Sequence, residues 1–125
     1  MELVNPSGLP VPSGAFAHGV VAGDMMFLAG QCGVDADGNT VTSGDAGAQT
    51  RQAVENMESV LAAGGFALTD VVHVTTFLVS LDDFDAYDRA YAEAFGTHRP
   101  ARATVRADIH SPDLLVEIQA IAKKS

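Results

Sequence analysis

The spacing of apolar and polar positions changes character several times along the chain. Residues 1–14 have no regular period and carry three prolines and two glycines, which predicts an irregular arm. Between Ala15 and Gly30, two short apolar runs flank Gly23-Asp24, the pattern of a β-hairpin. Gly33 to Gly44 holds Asp35, Asp37, Gly38 and Asn39 and reads as a loop or tight turn. From Asp45 to Ala63 the period becomes helical. Ala53, Val54, Met57, Val60 and Leu61 form one apolar stripe, with Arg51, Gln52, Glu55 and Glu58 mostly off it. Ser43 or Asp45 can cap that helix, and Gly64-Gly65 can end it. Asp70 to Val79 is apolar and β-branched, a central strand. Asp82 or Asp83 can start a second helix running to about Phe95, with Phe84, Tyr87, Tyr91, Ala94 and Phe95 on one side. Pro100 restarts extended chain. Residues 101–109 and 114–122 then read as two strands joined around Ser111-Pro112-Asp113.

The predicted order is β-β-α-β-α-β-β, with no linker or short repeat, so residues 1–125 form one domain. Helices gathered on one face of a mixed sheet make an α+β architecture. Composition refines this picture in three ways. Only 18% of residues are charged, which suggests that part of the surface is covered by another subunit. The formal net charge of −9 disfavours nucleic acid as a partner, although a single arginine can still dominate a small pocket. One cysteine, Cys32, excludes an intrachain disulfide and points to a reducing compartment. The first residues lack the pattern of a signal peptide, and no apolar run approaches 18 residues, so the expectation is a cytoplasmic protein without a membrane span.

The last two strands carry the candidate chemistry. By the period-two rule, Ala101, Ala103 and Val105 share one face and Arg102, Thr104 and Arg106 the other. In the final strand Val116, Ile118, Ala120 and Ala122 share a face, opposite Leu115, Glu117, Gln119 and Ile121. If these two strands pair, the small apolar faces lie together under the helices. Arg102, Thr104, Arg106, Glu117 and Gln119 then share the other face. Two readings of that polar face stay open. It is either a solvated surface with an Arg–Glu cross-strand pair worth a few tenths to about 1 kcal/mol, or a polar seam inside an oligomer that holds a ligand.

The run Pro100-Ala101-Arg102-Ala103-Thr104-Val105, followed by Val116-Glu117-Ile118-Gln119-Ala120-Ile121-Ala122, resembles the signature region of the reactive-intermediate deaminase (Rid, YjgF-like) family. Gly14 to Val20, Leu28 to Gln31, Gln49 to Asn56 and Asp70 to Leu78 resemble further segments of the same family in the same order, covering nearly the whole chain. The resemblance implies the chorismate-mutase-like α+β fold and a homotrimer with ligand sites between subunits. It also implies hydrolysis of small enamine or imine acids, such as 2-iminopropanoate and 2-iminobutanoate, to 2-keto acids and ammonia, with no metal or organic cofactor. Arg102 matches the arginine that binds the substrate carboxylate, for which a planar guanidinium suits two parallel hydrogen bonds. Glu117 matches the acid that places the attacking water or shuttles a proton. Backbone groups near Gly30, Gln31 and Thr104 would complete the pocket.

Four positions depart from the family pattern. Phe16 stands where a tyrosine is usual, Thr104 where a cysteine is common, His18 where glutamine is frequent, and Asp108 where a small or basic residue is typical. The resemblance therefore leaves two alternatives: a non-catalytic, ligand-binding trimer, or a hydrolase for a pathway-specific substrate such as aminoacrylate or aminomuconate.

The other candidates read as structure. His18, His73, His98 and His110 lack metal-ligand spacing. His73 reads as a core or interface residue and Cys32 as a small buried hydrophobe. Asp35, Asp37 and Asn39 lack the remainder of a calcium loop, and the aromatic face of the second helix reads as core.

Overall fold

The computed structural model describes all 125 residues. Six strands and two helices follow in the order β1 (Glu2–Val4), β2 (Gly19–Ala22), β3 (Met25–Cys32), α1 (Ala46–Ala63), β4 (Val71–Leu78), α2 (Phe84–Phe95), β5 (Ala101–Arg106) and β6 (Val116–Lys123). The arm read as irregular therefore contributes β1, a three-residue edge strand whose pairing with β2 supplies the order its own residues do not encode. Gly23, at φ +63°, makes the β2–β3 turn, a backbone region open to glycine at no steric cost.

A side-chain hydrogen bond caps α1, and one caps the short turn that leads into α2. Asp45 caps α1, its carboxylate accepting from the Ala48 N–H, and Gly64 closes the helix. Before α2 a short turn over Leu81–Asp83 intervenes. There the Ser80 hydroxyl accepts from the Asp82 N–H, and Asp83 holds the cap position without a side-chain bond. In the loop after β3, Asp35 accepts from the N–H groups of Asp37 and Asn39, the self-contained turn read from those residues.

The sheet order is β1-β2-β3-β6-β4-β5. Only β4 and β5 are parallel neighbours, joined through α2; the other pairs are antiparallel. The crossover through α1 leaves a gap between β3 and β4, and β6 fills it. One sheet face meets both helices. Met26, Leu28, Val74, Leu78, Val116, Ile118, Ala120 and Ala122 pack there against Val54, Met57, Val60, Leu61, Tyr87, Tyr91 and Phe95, all buried. Each fully buried aliphatic side chain contributes about 1.5–3 kcal/mol.

The other sheet face is open and mixed, with polar Thr75, Gln119 and Glu117 beside apolar positions. One row of paired positions crosses all six strands: Leu3, Val20, Phe27, Ile121, His73 and Ala101. Leu3, Phe27 and, two rows away, Val105 remain well exposed on it.

Two buried amides on α1 tie the helix to the ends of β3 and β6. Gln49 donates to the Asp113 carbonyl at 3.0 Å and accepts from the Leu115 N–H at 2.9 Å. Asn56 donates to the Cys32 and Val34 carbonyls at 3.1 and 2.8 Å, while Gln52 donates to Oδ1 of Asn56. Truncating Gln49 would leave a carbonyl and an N–H without their side-chain partners in a part-buried segment, at about 1–3 kcal/mol each. Gln49→Ala is therefore expected to cost about 2–4 kcal/mol, read as a lowered urea midpoint at fixed protein concentration. An unchanged midpoint would show that this side chain does not hold the 113–115 segment.

Candidate functional site

The pairing order corrects the sequence reading of the last two strands. β5 and β6 are not neighbours, because β4 lies between them. Val74 of β4 is opposite Arg102 on one side and Ala120 on the other, so Arg102 lies on the helix face. Phe77 is opposite Val105 and Glu117, so Glu117 lies on the open face. Arg102 and Glu117 therefore project from opposite sides of the sheet. An antiparallel β5–β6 pair would have put them together; the parallel docking of β5 on β4 sets a different phase.

Arg102 and Thr104 face α2. Phe84, Tyr87, Asp88 and Tyr91 recur at i, i+3, i+4 and i+7 on one helix face. The Arg102 guanidinium carbon lies 5.8, 5.2 and 4.7 Å from the ring centroids of Phe84, Tyr87 and Tyr91. Such contacts fix a guanidinium in place and retain its charge. Nη2 of Arg102 pairs with Asp88 at 2.9 Å, and the Arg102 side chain remains 23% exposed. Burial acts against this charge, but Tyr87 and Asp88 outweigh it and hold the guanidinium above its ordinary pKa. Thr104 sits one position further into this face, its hydroxyl 3.4 Å from that of Tyr87. Tyr87 also shares a short hydrogen bond of 2.6 Å with Thr76. The aromatic face read as core is thus both core and the platform beneath Arg102. Tyr91 is pushed up to about 12, by burial first and Tyr87 next.

Glu117 belongs to a separate cluster. It lies opposite Cys32 on β3, whose thiol donates to Oε1 at 3.3 Å. Its carboxylate covers Gly30, where a β-carbon would fall 2.7 Å from Cδ and 2.8 Å from Cγ. A side chain at position 30 would therefore push the Glu117 carboxylate aside. Phe16, half-exposed, Gly30, Cys32, His110 and Glu117 line one cleft of about 360 Å³. Gln31 turns the other way, being opposite Ile118, and is buried. Its amide donates to the Ala29 carbonyl and to Nδ1 of His18, whose Nε2–H donates to the Pro10 carbonyl. Gln31 and His18 thus brace the strand beneath the cleft.

The expected site residues accordingly divide into two groups: Phe16, Gly30, Gln31 and Glu117 in and beneath the cleft, and Arg102 and Thr104 across the sheet. Sequence reasoning missed Asp88 and His110. It took Cys32 for a packing residue, whereas its thiol also contacts Glu117. The recurrence of Asp88 with Phe84, Tyr87 and Tyr91 on a helical face was the signal available for the first.

Burial raises the Cys32 thiol well above its ordinary value near 9, with the charge and hydrogen bond of Glu117 adding to the effect. A raised thiol keeps its proton when folded, while the unfolded thiol releases its proton as pH climbs past about 9. Stability from this group is complete below pH 9 and declines above it. Cys32→Ser keeps an O–H donor and does not titrate in this range. Its stability-versus-pH curve is expected to lose that alkaline decline relative to wild type, measured by urea denaturation from pH 7 to 10.5. Identical curves would show that the thiol titrates alike in both states.

Comparison with known proteins places the chain. The family model described as endoribonuclease L-PSP matches residues 8–124. A RutC family protein of Pyrococcus horikoshii is 38% identical over 123 residues, covering 98% of each chain. The 3-aminoacrylate deaminase RutC of Acinetobacter baylyi is 34% identical, covering 97% of this chain and 96% of that one. The crystal structure of E. coli TdcF with bound serine superposes with a TM-score of 0.92 at 29% identity, covering 100% of both chains. The family thus includes deaminases, and no helix of this chain is long and apolar enough to cross a membrane. With the family model spanning almost its whole length, relatives above 30% identity and the same two-helix, six-strand fold, the chain belongs to the endoribonuclease L-PSP family, the YjgF/Rid family that its C-terminal signature resembles.

Proposed function

We propose that this chain is a cofactor-independent hydrolytic deaminase of small 2-imino and enamine acids, acting as a homotrimer with its active sites between copies. The observation that carries this reading is the division of the site. A fixed, partly exposed guanidinium lies on the helix face at the β5 edge, and a carboxylate lies over a cleft on the open face, with the sheet between them. One small substrate cannot reach both within a single chain. Copies packed through their open faces would bury the apolar row of Leu3, Val20 and Phe27 and bring the β5 edge of one copy towards the Glu117 cleft of the next. Exposed apolar surface of this extent marks an interaction site.

In that arrangement Arg102 holds the substrate carboxylate by paired charge-assisted hydrogen bonds. Glu117 accepts a proton from water as its oxygen adds to the C=N carbon, giving a tetrahedral aminoalcohol. The protonated Glu117 returns the proton to nitrogen. The C–N bond then breaks as the C=O bond forms and the hydroxyl proton passes to the Glu117 carboxylate, releasing ammonia and the 2-keto acid. The Cys32 thiol, engaged with Oε1, orients the carboxylate so that Oε2 is left for water. Thr104 supports the Arg102 side through Tyr87, and Phe16 gives the cleft an apolar rim. The A. baylyi relative favours a second reading in which the substrate is 3-aminoacrylate, whose carboxylate and enamine nitrogen suit the same two groups. A ligand-binding trimer without turnover is the outcome if the assay below is negative while binding persists.

The assay generates an imine in place with an amino-acid oxidase and follows its capture by semicarbazide. Arg102→Ala is expected to lower kcat/KM by about 100-fold or more. Glu117→Gln is expected to lower kcat by about 100- to 10,000-fold with a smaller change in KM. Gly30→Ala, which forces the Glu117 carboxylate to shift, should resemble Glu117→Gln. Wild type clearing the imine no faster than Arg102→Ala would sink the proposal. Light scattering should give three times the 13.0 kDa chain mass, and a monomer would remove the shared site.

A further inference from the structure

We propose that Asp88 and Arg102 act as a pair that reads a zwitterion: Arg102 takes the ligand's carboxylate, and Asp88 takes the protonated nitrogen beside it. This rests on the reading above, in which Arg102 binds the substrate carboxylate, and assigns the substrate's charge state at that site.

Arg102 meets a ligand already paired with an anion, at 2.9 Å, and that anion is on the accessible side of the pair, 47% exposed. The three rings of Phe84, Tyr87 and Tyr91 keep the guanidinium beside Asp88, so it is not free to swing away and present a bare charge. A second carboxylate arriving at Arg102 must sit close to that of Asp88. Two anions within a few ångströms repel unless a cation lies between them. A 2-iminium or 2-amino acid brings that cation on the atom next to its carboxylate-bearing carbon. A 2-keto acid has the same carboxylate and no cation.

The cluster also holds an unused donor. The Tyr91 hydroxyl is buried and has no hydrogen-bond partner in the chain, and the guanidinium lies over its ring. Buried hydroxyls are ordinarily paired, so the cluster beneath Arg102 keeps one donor without an acceptor in the chain. The consequence for turnover follows from charge alone. Hydrolysis replaces the nitrogen by a carbonyl oxygen, so the product loses its hold on Asp88 and is left as an anion beside a carboxylate. Asp88 thereby favours substrate entry and product departure with the same charge.

The test is calorimetric titration of the full-length assembled protein with L-alanine as the zwitterionic probe and pyruvate as the anionic one. Wild type is expected to bind L-alanine more tightly than pyruvate. Asp88→Asn, nearly isosteric at a half-exposed position, should shift the alanine-to-pyruvate affinity ratio towards pyruvate by roughly fivefold or more. Asp88→Glu, which keeps the charge, should restore most of the wild-type preference. An unchanged ratio in Asp88→Asn, with both probes still lost in Arg102→Ala, overturns this inference and leaves the carboxylate role of Arg102 standing. Equal affinities in wild type and Arg102→Ala overturn both, as does a wild type that binds neither probe.

Discussion

Everything else in this molecule depends on the alternation of side chains along β6 and β4. β6 lies between two strands that run parallel to each other, antiparallel to both, and each of its residues is committed to one side. Val116, Ile118, Ala120 and Ala122 go to the helices and form the floor of the core. Glu117 must then face away. The carboxylate reaches the open face because its neighbours are needed in the core, and no rotamer can return it to the helix side.

This partition shapes the electrostatics of both halves. On the helix side, Arg102 is surrounded by aromatic faces and one carboxylate, so its charge is kept but directed. On the open side, Glu117 has a single thiol donor and lies across a glycine, which leaves much of its hydrogen-bonding capacity for a ligand or water. The α1 amides connect these local facts to the core. Asn56 holds the carbonyl of Cys32, the residue that contacts Glu117, so α1 positions the cleft although no residue of it touches the carboxylate.

Much of the fold could be read from the amino acids because periodicity reports local burial. The α1 stripe, its Asp45 cap and Gly64 stop, the β2–β3 turn at Gly23 and the second helix are all local and all present. What could not be read was long-range: which strands are neighbours, and therefore which faces coincide. Arg102 and Glu117 each alternate correctly within their own strands, yet their relative phase is set by β4, which intervenes between them. β1 was missed because its order comes from pairing with β2. Gln49 and Asn56 were more legible than they were made to be. They fall at helical spacing with Ala53, Met57 and Val60, and a polar residue recurring on an apolar stripe signals a buried amide that needs backbone partners.

The position of β6 also bears on how the molecule comes into being. A strand added at the edge of a sheet can arrive late without disturbing what has already formed, whereas this one is the last of the six to be synthesised and belongs in the middle. Until it arrives, β3 and β4 lack a partner on the edges that face the slot, and the helices have only part of a floor to pack on. Closing the slot joins residues from distant parts of the chain in one step, the kind of non-local event that slows folding and leaves strand edges exposed meanwhile. A nascent chain of this sequence thus cannot join β1-β2-β3 to β4-β5 in one sheet until β6 is made. Loss of its final residues would open the sheet at its centre.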